Sequence, residues 1–114
     1  MLSWSGQQSD IEIDLVAVKR GRGEVGVPYA DALMRFADAA AGLDSDGAEM
    51  DEARDALASQ AGQAMMIDAA AVAANFHMMT RLADGTGARY PQARMEASAA
   101  VIAIMGTADM ISLR

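Results

Sequence analysis

The chain contains no cysteine, one histidine, one lysine and two prolines among its 114 residues. Without cysteine it has no disulfide, no thiolate nucleophile, no thiol redox chemistry and no cysteine-held metal or cluster. A single histidine rules out a multi-histidine metal site within one chain. No metal and no cofactor are therefore expected. Nine basic residues face sixteen acidic ones, for a formal net charge of −7. Binding to a phosphate backbone needs a basic surface that displaces counterions, so no nucleic-acid partner is expected. The start, MLSWSGQQSD, lacks the basic and apolar regions of a secretory signal. Residues 64–83 and 95–113 approach membrane length, but each window carries charged residues. They read as core helices rather than spans, and a cytoplasmic protein without a membrane partner is expected.

What the chain does have is alanine and methionine. Hydrophobic residues make up 53% of it, aromatics only 4%, and methionines number ten. A core must then be built from small and flexible side chains, and methionine also suits adaptable interfaces. The length gives one domain. Alanine-rich faces let helices approach closely, and a thin domain of this kind is expected to complete its core with a second copy.

Residues 1–9 are polar and expected to be loose, leaving 10–114 as the folded domain. Ser9 or Asp10 would cap a short helix through IEIDLVAVKR, although its alternation also fits a strand. Pro28 would occupy the first turn of a second helix, PYADALMRFADAAAG, ending at Gly42. Leu33, Phe36, Ala37 and Ala40 give it an apolar face, and Asp31 and Arg35, four apart, would pair on its surface. Asp44, Ser45, Asp46 and Gly47 form a capping loop before a polar third helix, DGAEMDEARDALASQ. A long helix follows between Gly62 and Gly85 or Gly87, and a last one from Gln92 to Ser112. That last helix is apolar on more than one side and should pack on the long helix or across a subunit interface. The chain reads as all-α, a single bundle of about four to five helices completed by self-association.

The long helix carries most of the information. Met65, Ala69, Val72, Phe76, Met79 and Ala83 recur at spacings of four and three, marking one face that should form the core. Asp68, Asn75, His77 and Arg81 interrupt its apolar character. His77 and Arg81 stand four apart on one face, while Asp68 and Asn75 share another stripe. Together the four are the candidate ligand-binding residues. A histidine near a carboxylate or carboxamide can perform acid–base work near neutral pH, which makes His77 the one weak catalytic candidate. The bland alternative is an interface histidine with Arg81 meeting carbonyls near the helix end.

Two other patterns lead elsewhere. Gly21, Gly23 and Gly26 spell a G-x-G-x-x-G, but no βαβ unit surrounds it, so a helix connection is expected. Asp44, Asp46 and Glu49 lack the spacing of a calcium loop and read as caps.

The run DAAAVAANFHMMTRLADGTG resembles the C-terminal half of alkylhydroperoxidase-like (carboxymuconolactone decarboxylase-type) helical domains, and PYADALMRFADAA is similar to the preceding part of the same pattern. The resemblance spans about residues 27–88. It implies an all-α fold that assembles through its long helices. Peroxidase members of that family use a Cys-x-x-Cys pair on an upstream helix. This chain has no cysteine, so thiol peroxidase activity carries over to no residue. Arg81 matches the family's arginine, whereas His77 does not fall where the family's histidine does. The resemblance implies either a half-length relative or a start upstream of Met1.

Two functions are therefore expected to compete. One is a non-redox helical domain acting in self-assembly or in binding a small apolar ligand. The other is a cofactor-independent decarboxylase or isomerase in which His77 is acid or base and Arg81 holds a carboxylate.

Overall fold

The computed structural model describes residues 12–42 and 47–109, and among these every regular element is a helix. They are α1 (Leu15–Arg20), α2 (Ala30–Ala41), α3 (Gly47–Ala61), α4 (Gln63–Thr86), α5 (Gln92–Ala97) and α6 (Ala99–Met105). The expected loose terminus, Ser9, Asp10 and the Asp44–Asp46 caps lie outside the described residues.

The centre is a three-helix unit of α2, α3 and α4. On α2, Ala32, Phe36 and Ala39 are buried, spaced four and three apart as one helical face requires. On α3, Ala53 and Leu57 are completely covered, with Met50 and Ala61 continuing the same stripe. From α4 come Met66, Ala69 and Ala70, which are half-buried. Ala32 and Leu57 meet near one end, while Ala40, Met50 and Ala70 border one cavity towards the other. The helices thus run up, down and up, with α2 parallel to α4. Arg35 donates to Glu52 across α2 and α3 at 2.8 Å rather than pairing with Asp31. Both side chains of that pair are exposed, and such pairs contribute only tenths of a kcal/mol. On α3, Arg54 bonds to Asp55 and Asp51. The bond to Asp55, and then the charge of Asp51, raises its pKa above the ordinary arginine value.

Glycine forms the corner between α3 and α4. Gly62 alone separates the two helices, at φ 91° and ψ 159°, a conformation open essentially to glycine. Its N–H closes α3 on the Ala58 carbonyl, and its own carbonyl accepts from Met66 to begin α4.

Several boundaries differ from the sequence expectation. Helix α1 starts at Leu15, capped by the Asp14 carboxylate, which accepts from the Val16 and Ala17 amides. A cap of this kind is worth roughly 1 kcal/mol. Ahead of it, the Asp14 amide donates to the Val25 carbonyl, and the chain passes so close to Gly26 that a β-carbon there would strike the Glu12 carbonyl. The glycine-rich run is therefore a helix connection held by backbone contact. Pro28 lies outside α2, because Tyr29 takes a left-handed turn before Ala30. The expected last helix is broken at Ser98 into α5 and α6 and ends at Gly106 instead of Ser112. Among the described residues α6 packs chiefly on α1.

The largest correction concerns α4. Its ends match the expectation, with Gly62 before it and Gly87 after it. Yet none of its 24 residues is buried. The core sits between α2 and α3, and α4 closes only one side. At 1.5 Å per residue α4 is about 36 Å long against about 18 Å for α2. Its last two turns run past the end of α2. No described helix is long and apolar enough to cross a membrane.

Candidate functional site

The apolar face of α4 is half open. Met65, Val72, Phe76 and Met79 all remain exposed to solvent, Val72 at 56% and Phe76 at 50%. This is the stripe whose spacing pointed to the core. It lies to one side of the contact with α2 and α3 and forms one wall of a groove. Leu33, Phe36, Ala37 and Ala41 of α2 form the opposite wall. The groove encloses about 520 Å³. A smaller cavity of about 380 Å³ lies behind it, floored by Ala40, Met50 and Ala70. Phe36, Ala73 and His77 border both and form the partition between them.

The structure separates the four polar candidates. Asp68 and His77 line the groove, at different levels of α4. Nine residues along a helix put them about 13 Å apart along its axis, too far for one to orient the other. Asn75 stands beside the stripe on the solvent side, and its amide donates to the Met79 sulfur at 3.5 Å. Arg81 lies one turn beyond His77 and is exposed. Asp68, His77 and Arg81 form no side-chain hydrogen bond or ion pair with a described residue. Among the described residues no group of three His, Asp or Glu side chains is placed to hold a metal.

Beyond the groove, Met78 and Leu82 are exposed on other sides of the last turns of α4, at 60% and 63%. With Ile67 they bring the exposed large apolar side chains of this one helix to seven of the eleven on the described chain. Of these, Met65, Val72, Phe76 and Met79 share the groove-side stripe and at roughly 100 Å² of open area each leave on the order of 400 Å², a size found at interaction sites, while Ile67 and Met78 face away from it. Of the groove wall from α2, the apolar face read from the sequence contains Leu33, Phe36 and Ala37 and leaves out Ala41. The signal for Ala41 was present in Leu33, Ala37 and Ala41, an apolar row at spacings of four beside the core face.

Fold and groove together define an all-α domain with an unpartnered apolar helix face. Compared with protein-family models, curated proteins and solved structures, the chain matches none.

Proposed function

We propose that this chain is a non-redox, alkylhydroperoxidase-like helical domain whose role is self-assembly through α4. The observation that carries this reading is a 24-residue helix with no buried residue and seven large apolar side chains open to water. In a lone chain that surface is unfavourable by about 25 cal/mol per Å². Covering roughly 400 Å² of the stripe on each copy, with the α2 wall added, gives an interface at the small end of the specific range, below the roughly 800 Å² per partner of a standard one. The lack of cysteine supports the non-redox part, and the helical pattern over residues 27–88 supports the family.

The groove favours a second reading. Its volume falls within the range of roughly 300–1,000 Å³ typical of small-ligand sites, and Asp68 and His77 are its only ionisable lining residues. An apolar ligand with at most one polar end would suit it. The enzymatic alternative needs a second anchored group beside His77, to serve with Arg81 on a carboxylate substrate.

Sedimentation equilibrium across a hundredfold range of concentration tests the main reading. The expected outcome is a mass that rises from 11.9 kDa to a discrete multiple. Each copy carries −7, so added salt should tighten the assembly by screening mutual repulsion. His77→Gln should leave the mass curve unchanged. A species that stays at 11.9 kDa at high concentration and high salt would overturn the assembly reading.

A further inference from the structure

The exposed stripe on α4 has a symmetry that specifies its partner. Its positions are 65, 69, 72, 76, 79 and 83. They alternate spacings of four and three, the pattern of a left-handed helix-pair seam with a period of 3.5 residues. The series also reads the same in both directions about Ala74. Reversing the helix about that point places Met65 over Ala83, Ala69 over Met79 and Val72 over Phe76. Each layer sets a larger side chain against a smaller one, as close packing of two seams requires.

A parallel pair would stack each residue on itself, Phe76 on Phe76 and Ala69 on Ala69, leaving alternate layers crowded and empty. Only the reversed pair has even layers. A surface complementary to its own reverse is what a two-fold, isologous dimer uses.

Resting on the self-assembly reading above, we infer that the groove between α2 and α4 is filled by α4 of a second copy. It runs antiparallel about a two-fold axis at Ala74. Four features of the single chain agree with this occupant. The four larger seam side chains are open, from Met65 at 39% to Val72 at 56%, while Ala69 also packs against the core of its own chain. The α2 wall stands beside the seam and extends the cover over the incoming helix. The end of α4 from Met78 on runs past the end of α2 and lies over the Met65 end of its partner. Finally, Asn75 flanks the seam one residue from the axis, where the two copies bring their carboxamides together. Its amide meets only the Met79 sulfur in the lone chain, and a polar residue at such a place fixes register.

Because the chain has no cysteine, single cysteines report the pairing without background. In the antiparallel register Asn75→Cys faces itself across the axis, and Asp68→Cys faces Leu82→Cys of the partner. Under mild oxidation Asn75→Cys should become mostly covalent dimer. Asp68→Cys and Leu82→Cys should each stay unlinked alone, since about 18 Å and about 24 Å of helix respectively separate each from its own copy, and should link when mixed. Self-linking of Asp68→Cys and Leu82→Cys would show a parallel pair and overturn the inference. A wild-type protein that assembles while none of these variants links would overturn it too, yet leave self-assembly standing. A wild type that never assembles would remove both. As an independent check, Val72→Glu puts a charge into the central layer from a position half exposed in the lone chain. It should keep its helical circular dichroism while weakening dimerisation by roughly 100-fold or more. Unchanged dimerisation would overturn the inference.

Discussion

Leu57→Ala should remove most of the stability of the three-helix unit. Leu57 is the one large side chain with no exposure at all, and it lies between Phe36 of α2 and the start of α4. Truncating a leucine in such a place costs about 2–5 kcal/mol, the larger values arising where neighbours cannot collapse into the gap. Here the surrounding cluster includes Ala32 and Ala61, whose short side chains cannot reach into the gap, beside Phe36 and Met66. Little relaxation is available, which argues for the upper half of that range. The buried set of the described chain is short: besides Leu57 it holds Phe36, Val25 and four alanines. A domain with so thin a core has a total stability near the low end of the usual 5–15 kcal/mol. Urea unfolding followed by circular dichroism, at one fixed protein concentration because assembly adds stability by mass action, should show a midpoint lowered by half or more. A loss under about 1 kcal/mol would mean that Leu57 does not lie in a closed core.

The short list of buried residues also shows which parts of the sequence were readable. Apolar periodicity located α2 and α4, and the capping loop with its acidic first turns located α3, each within about two residues, with Gly42, Gly62 and Gly87 at the ends. Periodicity did not assign burial. The face of α4 marked by Met65, Val72 and Phe76 has the spacing of a core face, and spacing is the same whether the partner helix belongs to the same chain or to another. Local competition hid other details. Asp14 caps α1 because its carboxylate reaches two amides of the helix. Arg35 chooses Glu52 over Asp31 because antiparallel packing brings α3 within 2.8 Å of its guanidinium, which no sequence spacing records. The break at Ser98 and the pairing of α6 with α1 are long-range features, and the apolar run from Ala99 to Met105 looks like an uninterrupted helix on its own.

The candidate site was legible in its parts and not in its arrangement. Asp68 and His77 do line one groove, but nine residues of helix keep them at separate levels. The side chains that give the groove its character are the apolar ones. Polar residues attract attention in a sequence because they are rare on an apolar helix. On α4 their rarity sets the register of a packed surface at least as well as it marks chemistry, and Asn75 is the clearest case.

Gly62→Ala should have the other large effect, through backbone conformation and not through lost contacts. Nothing lies within 4 Å of a β-carbon built on Gly62, so there is no clash to relieve. The conformation itself is the obstacle: φ 91° with ψ 159° lies in a region essentially closed to side chains, at about 1–3 kcal/mol. Alanine is moreover the best helix former, favoured over glycine by about 1 kcal/mol in a helix interior. Both terms push the same way. With α3 ending at Ala61 and α4 beginning at Gln63, one alanine would join them into a continuous helix from Gly47 to Thr86. Such a fused helix cannot fold back, so Leu57 and Met66 could no longer meet Phe36 within one chain. The expected variant keeps or gains helical circular dichroism while its thermal transition broadens and falls by several degrees. At high concentration it should form exchanged dimers, in which α2 of one chain packs on the fused helix of another. A second change separates strain from helix fusion. Gly62→Asn meets the same backbone strain as alanine but favours helix less, so its thermal transition should fall as well while exchanged dimers stay fewer. Equal stability of Gly62→Ala and wild type would show that the corner does not depend on glycine.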